Sequence, residues 1–354
     1  MAVAVVLCAL VSLGACGSDD RGANADDSGA PSTTGPSGSA GAAPSGAGLD
    51  YEAPPPTVCP PATVTVSTAK ELTDALADAE PGDSIALEDG TYAGNFTATG
   101  DGTADAPIFV CGSADAVIDS GGPKEGYGLH LEDASYWRLV GFTVQNAQKG
   151  VMFDAVTDSI IDGLTVSGTG DEAIHLRKFS ANNIVMNCEV FDTGNRREKF
   201  GEGIYVGTAV SNWEKITGGE PDTSDNNVLY ANNIHATTAE NIDLKEGTTG
   251  GLVIENTLSG DGLTEEGADS WVDVKGRSWM ILNNTGSTSP LDGYQTHEIE
   301  PGWGTDNVFD GNVATDIAQD DSEGVGFALK PELDNQLTCN NQVSGGELSN
   351  VACT

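Results

Sequence analysis

A short segment of alternating apolar and variable residues recurs six times in the middle of the chain. The segments read GLHLED, GVMFDA, AIHLRK, GIYVGT, NIDLKE and WVDVKG, and begin at Gly128, Gly150, Ala173, Gly203, Asn241 and Trp271. Alternation with a period of two is typical of a strand with one buried face. Successive starts are 22 to 38 residues apart. Recurrence at this period predicts a solenoid, in which each repeat covers the core of its neighbour.

A second strand is predicted after each of these segments, as in NVLYANNI and GLVIENTL. Four residues beyond its first apolar residue, this strand carries in successive repeats Leu164, Cys188, Asn232, Asn256, Asn284, Asn312 and Asn341. Asparagines at one bend of successive coils can stack their amides in a hydrogen-bonded ladder. Two strands per coil without a long helix predict an all-β fold, a single-stranded parallel β-helix with an asparagine ladder.

The segment before the repeats predicts a helix that covers the open end of the solenoid. Thr68 and Glu71 form a capping box, and an apolar face follows before Pro81. This N-terminal capping α-helix resembles the cap of the right-handed parallel β-helix superfamily that includes the pectate lyases. The resemblance covers most of residues 64–345 and implies a right-handed solenoid. We expect one β-helix domain over residues 57–354.

The first residues have the pattern of an export signal. MAVAVVLCALVSLGAC is apolar, too short for a membrane-spanning helix, and ends in Leu13-Gly14-Ala15-Cys16, which resembles a bacterial lipobox. Residues 1–15 are therefore predicted to be a lipoprotein signal peptide, with Cys16 as the lipidation site. Residues 16–56 are rich in Gly, Ala, Ser and Pro and predict a disordered tether. We expect an extracytoplasmic protein, lipid-anchored to a bacterial membrane or, if Cys16 is incidental, secreted.

The charge balance restricts the partners. A formal net charge of −39, from 15 basic and 54 acidic residues, argues against nucleic acid, because phosphate neutralisation needs clustered Lys and Arg. We expect a monomer that binds an acidic or neutral polysaccharide and contacts a membrane only through its lipid anchor.

The remaining cysteines fit an oxidising compartment. We expect Cys59 to pair with Cys111 and Cys339 with Cys353. Cys188 shares the interior bend position of the asparagines, and we interpret it as a structural thiol.

Strand parity places charged residues on the outward face of the repeated segments. Because Ile242 and Leu244 should point inward, Asp243 and Lys245 should point outward. The same parity gives two outward columns, His130, Met152, His175, Tyr205, Asp243, Asp273 and Glu132, Asp154, Arg177, Gly207, Lys245, Lys275. Neighbouring coils lie about 4.8 Å apart, so these residues form one patch. The alternative interpretation is a solvated face of exposed ion pairs, which contribute little stability.

Three carboxylates recur in register beside this patch. Glu172, Glu202 and Glu240 each lie two residues before the first apolar residue of their strand. Like charges on adjacent coils repel unless cations lie among them, so the pattern predicts a cation site or, alternatively, exposed loop acids. The longest loops flank the same coils and should wall a groove. Trp213, Trp271 and Trp303 are candidates for stacking on sugar rings, with Tyr205, Asp273 and His297 as further substrate contacts.

This constellation suits β-elimination on a uronate. That reaction needs a base at C5, neutralisation of the carboxylate and a proton for the leaving O4. A lysine beside other cations has a lowered pKa and can act as base, which favours Lys245 with Lys275 and Arg177 nearby. His175 or His297 is a candidate proton donor.

The stretch AENIDLKEGTTGG is similar to the acid-rich strand that carries the catalytic lysine in β-helix lyases such as chondroitinase B and the related alginate lyases. The resemblance implies Lys245 as base, Arg177 or Lys275 as a neutralising group, and calcium held by Glu240, Asp243 and Glu246. Three other functions fit the sequence. These are a hydrolase that uses Asp243 and Asp273, a uronate C5-epimerase, and a noncatalytic glycan-binding lipoprotein.

Overall fold

The computed structural model describes residue 51 and residues 53–264, 266–268, 270–317 and 324–354. The predicted signal peptide, Cys16 and most of the predicted tether lie outside the described residues. Within the described ranges, no helix is both long and apolar enough to cross a membrane.

Three parallel β-sheets of 11, 10 and 10 strands run the length of the fold, and each coil after β1 contributes one strand to each sheet. The first sheet contains β1 (Val64–Val66), β2 (Ser84–Leu87), β5 (Ile108–Cys111), β8 (Trp137–Val140), β11 (Ile160–Asp162), β14 (Ile184–Met186), β17 (Val228–Tyr230), β20 (Leu252–Ile254), β23 (Met280–Leu282), β26 (Val308–Asp310) and β29 (Gln336–Leu337). The second contains β3 (Gly90–Ala93), β6 (Ala116–Asp119), β9 (Thr143–Gln145), β12 (Thr165–Ser167), β15 (Glu189–Phe191), β18 (Asn233–Ile234), β21 (Thr257–Ser259), β24 (Thr285–Ser287), β27 (Val313–Thr315) and β30 (Gln342–Ser344).

The third sheet is called the site sheet below. It contains β4 (Phe96–Asp101), β7 (Tyr127–Ser135), β10 (Lys149–Thr157), β13 (Ile174–Arg177), β16 (Ile204–Val206), β19 (Ile242–Leu244), β22 (Val272–Val274), β25 (Tyr294–Thr296), β28 (Val325–Leu329) and β31 (Glu347–Ser349). All six segments that define the sequence repeat lie in it. The fold is an all-β parallel β-helix, as predicted.

The prediction of two strands per coil was wrong. Each predicted second strand is two short strands, such as β20 and β21, that lie in different sheets. Glu255, between them, has a φ of 56°, and Asn187, Ala231 and Asn283 have left-handed φ values at the same bend of other coils. One left-handed residue turns the chain sharply without glycine or proline. Glycine marks the same bend in other coils, at Gly141, Gly163 and Gly311, so the bend has no single residue type that a repeat search would detect.

Buried asparagine side chains hydrogen-bond along this bend. Asn232, Asn256, Asn284 and Asn312 each donate an amide N–H to the Oδ1 of the next asparagine, ending at Asn341, at 2.9 to 3.0 Å. Each Oδ1 also accepts the backbone N–H of the preceding asparagine. Cys188 precedes them in the column, and its backbone N–H donates to Asn232 Oδ1. The side chains thus satisfy backbone groups that have no access to water.

The N-terminal helix α1 spans Ala69–Ala77. Thr68 accepts the backbone N–H of Glu71, and the Glu71 carboxylate accepts the backbone N–H of Thr68. Leu72 and Leu76 are buried in the hydrophobic core. A second, one-turn helix, α2, spans Trp213–Ile216, and 3-10 turns occupy Glu198–Phe200 and Val210–Asn212.

Both predicted disulfides are confirmed. Cys59 is bonded to Cys111, and Cys339 to Cys353. Cys188 is a buried free thiol whose pKa is raised to about 12 by its burial. It is therefore a neutral interior residue at physiological pH.

Candidate active site

The charged columns lie on the outward side of the site sheet. Ile242 and Leu244 of β19 are fully buried in the core, so Asp243 between them points away from it. The register places His175, Tyr205, Asp243, Asp273 and Gln295 side by side on successive strands. Parallel strand pairing therefore brings together residues that are far apart in the sequence.

These charged groups are not a solvated surface. Only 7% of the Lys245 side chain and 2% of the Asp243 side chain are exposed, and Lys275 is 11% exposed. Lys and Asp are rarely buried to this extent unless they are paired. The interpretation of the columns as exposed ion pairs is therefore wrong.

Asp243 is the centre of the ion-pair network. Its Oδ2 lies 2.8 Å from Lys245 Nζ, and its Oδ1 lies 2.9 Å from Lys275 Nζ. Lys275 Nζ also lies 2.6 Å from Asp273 Oδ2, and Asp273 Oδ1 lies 2.8 Å from His297 Nδ1. Burial alone would raise the pKa of Asp273, but His297 and Lys275 lower it well below its usual range. The network thus fixes two ammonium groups on the floor of the sheet.

The environment of Lys245 opposes the expected lowering of its pKa. Burial alone would lower the pKa of Lys245, but Asp243, Glu246 and Glu240 raise it well above its usual value. Asp243 and Asp273 likewise raise the pKa of the buried Lys275. The neighbouring cations alone would lower the pKa of Lys245, whereas the fold surrounds its ammonium group with carboxylates. The raised pKa keeps Lys245 an ammonium group at neutral pH.

Three carboxylates meet in a buried cluster. One oxygen from each of Glu202, Glu240 and Asp243 lies within 4.8 Å of the other two. Burial, reinforced by Glu172 and Glu240, raises the pKa of Glu202 well above its usual range, and burial with Asp243 raises the pKa of Glu240 to about 8. Glu202 Oε2 is buried without a hydrogen-bond partner. Such a cluster is stable when it binds protons or a cation.

Two predicted calcium ligands lie outside this cluster. Glu172 pairs instead with Lys149, with Glu172 Oε1 2.7 Å from Lys149 Nζ. Glu246 Oε1 accepts the backbone N–H of Val210 at 2.6 Å. Each uses one oxygen for this contact, and Glu172 Oε2 and Glu246 Oε2 are buried without a hydrogen-bond partner. Among the described residues, only Glu202, Glu240 and Asp243 have oxygens close enough together to form a candidate metal site.

Tyr205 lies between Lys245 and His175. Lys245 Nζ is 5.0 Å from the centre of the Tyr205 ring, and the His175 ring packs edge-on at 4.4 Å. Burial, followed by Asp243 and Glu202, raises the pKa of Tyr205 well above its usual value. The phenol is therefore neutral and retains its proton for donation.

His175 is buried and held on both ring nitrogens. Its Nε2 lies 2.9 Å from the carbonyl oxygen of Gly207, and its Nδ1 lies 3.3 Å from Lys149 Nζ. Burial and then Lys149 lower the pKa of His175. The structure therefore favours a neutral imidazole that fixes backbone geometry, rather than the proton donor expected from the sequence.

Lys149 was missed in the sequence, although a signal was present. It lies two residues before Val151, as Glu172 lies two residues before Ile174. The same offset, applied to the coil before Glu172, identifies Lys149 as a member of this column. Gln295 was also missed; it follows Asp273 in the outward column and is buried with its Oε1 unpartnered.

Arg177 belongs to a neighbouring group of residues. Its Nε lies 2.7 Å from Asp154 Oδ1, and His130 Nε2 lies 3.0 Å from Asp154 Oδ2. Arg177 is thus paired with Asp154 and has no ion pair in the network around Lys245. Its predicted catalytic role is not supported by this arrangement.

The tryptophans divide into two kinds. Trp271 is fully buried in the core, packs edge-on against Tyr294, and covers Gly286 and Gly293, so its prediction as a sugar-stacking residue was wrong. Trp271 lies just before β22, so the alternation of inward and outward side chains along that strand does not determine its direction. Trp213 is half-buried, and its indole N–H donates a hydrogen bond to the Thr208 carbonyl oxygen. Trp303 is also half-buried, and the Arg277 guanidinium lies 4.5 Å from the centre of its ring.

Comparison with known proteins identifies the family. The profile of the Pel9A-like right-handed β-helix region matches residues 58–210. A crystal structure of alginate lyase from Paenibacillus sp. str. FPU-7 is 34% identical with a TM-score of 0.75, covering 81% of this chain and 98% of that one. The chain belongs to the pectate lyase-like right-handed β-helix family.

Two more distant structures share the fold. Pectate lyase Pel9A is 15% identical with a TM-score of 0.61, covering 79% of this chain and 71% of that one. A rhamnogalacturonan lyase is 13% identical with a TM-score of 0.58, covering 82% and 85%. The comparison with curated proteins finds no significant match. The architecture is thus that of β-helix polysaccharide lyases.

Proposed function

We propose that this protein is a polysaccharide lyase that cleaves a uronate polymer of the alginate type by β-elimination. The observation that carries the proposal is the buried pair of Lys245 and Tyr205, with Lys245 Nζ 5.0 Å from the ring centre, on the outward side of the site sheet. The 34% identity to an alginate lyase across 98% of that chain supports the substrate class.

The chemistry assigns a proton acceptor and a proton donor. Lys245 takes the proton from C5 of the uronate, the C5–H electrons form the C4–C5 double bond, and the C4–O4 bond breaks. Tyr205 gives its proton to the departing O4. Lys245 then returns a proton to solvent and Tyr205 regains one, which closes the cycle without another reactant.

Lys245 must lose its proton before it acts. Asp243, Glu246 and Glu240 are the groups that raise its pKa, and burial acts in the opposite sense. Neutralising these carboxylates leaves burial as the dominant effect, which lowers the pKa of a lysine. These carboxylates, two of which belong to the cluster with Glu202, therefore control whether Lys245 is a base.

A cation suits this cluster. Glu202, Glu240 and Asp243 offer only oxygen ligands, which hard cations such as calcium prefer, and Glu202 Oε2 is buried without a partner. When bound, calcium would neutralise acidic groups here, including the uronate carboxylate. Lys275 supplies a second positive charge for that carboxylate.

The test is an activity assay with matched lysine variants. The purified protein is incubated with alginate, pectate, chondroitin and glucuronan, with and without calcium, and ultraviolet absorbance of the unsaturated uronate is followed. We expect a rise on alginate that is lost in Lys245→Ala and Tyr205→Phe. Lys70→Ala, which changes a lysine whose side chain is 83% exposed, should leave the rate unchanged.

Other outcomes identify the alternative functions. New reducing ends without absorbance would indicate a hydrolase, and a changed uronate composition without cleavage would indicate a C5-epimerase. Binding without any reaction would indicate a glycan-binding protein. Each of these results contradicts the lyase proposal.

We also propose that the protein is extracytoplasmic and anchored through a lipid on Cys16, which rests on the lipobox-like sequence alone. Expression in bacteria with mass spectrometry of the membrane fraction tests this. Cys16→Ser should release the protein from membranes, and an unmodified Cys16 in the wild-type chain would contradict the anchor.

A further inference from the structure

The buried His175 presents a problem of proton placement. Its Nε2 lies 2.9 Å from the Gly207 carbonyl oxygen, which can only accept a hydrogen bond. Nε2 must therefore carry a proton in every charge state of the ring. Whether His175 is neutral or cationic depends only on Nδ1.

Two groups of opposite sign compete for Nδ1. Lys149 Nζ lies 3.3 Å from it and Glu172 Oε1 lies 3.5 Å from it. An ammonium group has three donors and no acceptor, so its contact requires Nδ1 to be unprotonated. Lys149 is also held to Glu172 at 2.7 Å, which reduces the pull of that carboxylate on an imidazole proton. Arg177, on the same strand as His175, adds positive charge that also disfavours a cationic ring.

The resulting contact lies beside the proposed catalytic pair. Gly207 follows β16, two residues after Tyr205, and has a φ of 90°. A side chain there would meet Lys245 Cβ at 3.2 Å and Thr248 Cγ2 at 2.6 Å, so this backbone lies directly against Lys245. The His175 ring itself packs against Tyr205 at 4.4 Å. The His175 ring therefore contacts Tyr205 directly, and it contacts the backbone that lies against Lys245 through Gly207.

We infer that Lys149 is a positioning residue. It keeps His175 neutral, so that Nδ1 forms no ion pair with Glu172 that would draw the ring away from Gly207 and Tyr205 beside Lys245. The catalytic consequence rests on the proposed lyase function. The state of His175 does not depend on it, because it follows from the donors and acceptors around the ring.

Histidine NMR tests the inference directly. The chain contains four histidines, so the ¹⁵N resonances of His175 can be assigned by comparison with His175→Asn. In the wild-type protein we expect a protonated Nε2, an unprotonated Nδ1, and no titration between about pH 5 and 8. A proton on Nδ1, or titration of His175 in this range, would overturn the inference.

Lys149→Met removes the charge and retains much of the volume. Glu172 then faces Nδ1 alone, and His175 should become protonated and titrate. We expect kcat to fall by on the order of tenfold or more, with a new inflection at the pH where NMR shows His175 to titrate, and KM to change little. The double variant Lys149→Met/Glu172→Gln removes both charges and should restore a non-titrating His175.

These measurements separate the two proposals. If the wild-type protein cleaves no polymer, the lyase function fails, and the NMR spectra still decide the state of His175. If Lys149→Met leaves His175 without titration, or gives the same kcat profile as the double variant, the positioning role of Lys149 is refuted. Circular dichroism of each variant confirms that the fold is retained.

Discussion

Lys245 illustrates how a residue acquires its chemistry from groups that are distant in the sequence. Glu246 is its neighbour in the chain, whereas Tyr205 and Lys275 come from the adjacent coils of the site sheet. The pKa of a buried lysine depends on the balance of these charges against desolvation. A sequence shows which charged residues exist but not how many of them face one buried ammonium.

The buried hydroxyl of Tyr294 destabilises the folded protein. The hydroxyl is buried in the core without a hydrogen-bond partner, between aromatic rings that include Phe327, stacked at 4.9 Å. Burying an unpaired hydroxyl costs free energy, so Tyr294→Phe should raise the free energy of unfolding by about 1 kcal/mol. Tyr92→Phe is the matched control, because the Tyr92 hydroxyl donates to the Val66 carbonyl at 2.7 Å, and it should destabilise. Denaturant unfolding measures both, and equal effects would contradict the argument.

Asp154 predicts a pH-dependent contribution to stability. Burial alone would raise the pKa of Asp154, but its contacts with His130 and Arg177 lower it well below the usual range. A carboxyl whose pKa is lower in the folded state stabilises the fold above its unfolded pKa, near 3.9, and loses this contribution as pH falls through the folded value. Asp154→Asn should therefore destabilise most near neutral pH and progressively less below about pH 4. A difference from wild type that is independent of pH would contradict this assignment.

At the scale of elements, the bends determine the cross-section of each coil. A second asparagine column follows another bend, where Asn307 donates to Asn335 Oδ1 at 2.9 Å and Asn183 donates to Asn227 Oδ1 at 3.2 Å. Only the longer column is visible as a repeat in the sequence. The shorter column is interrupted by other residue types, so a repeat search that requires one residue at a fixed offset does not detect it.

Asn284 tests the contribution of the longer column. Its side chain donates to Val253 O and Asn312 Oδ1 and accepts the backbone N–H of Asn256. Asn284→Ala removes the side-chain partner of two buried backbone groups and of the asparagine side chains on either side. It should cost on the order of 3 kcal/mol of unfolding free energy. The exposed Asn340, in the same chain, provides the control, and Asn340→Ala should cost far less. Equal unfolding midpoints for the two variants would show that the column is dispensable.

At the scale of the whole molecule, the net charge of −39 opposes the proposed substrate. A polyuronate is itself anionic, so long-range repulsion should slow its approach. The ammonium groups of Lys245 and Lys275 act only at short range, because they are buried among carboxylates. Added salt should therefore speed the association of protein and polymer, because it screens the repulsion between like charges.

Ionic strength is the corresponding measurement. Raising NaCl from low values to about 0.15 M shortens the Debye length to about 8 Å and screens the repulsion. We expect kcat/KM for long alginate chains to rise severalfold over this range, and kcat at saturating substrate to change little. A fall in kcat/KM with added salt would indicate a basic binding surface and would contradict this view of the groove.

The sequence by itself determined the class of fold, the site sheet and the outward column, because alternation with a period of two fixes which side chains of a strand face the core. It also placed Lys245, Asp243, Glu202 and Glu240 near one another. The tertiary structure decided the rest. Left-handed residues at the bends gave three sheets, Trp271 entered the core where parity ends, and packing of adjacent coils buried the charges. The resulting exclusion of water sets the protonation states of Lys245 and His175, since desolvation and cross-coil contacts have no signature in a single strand.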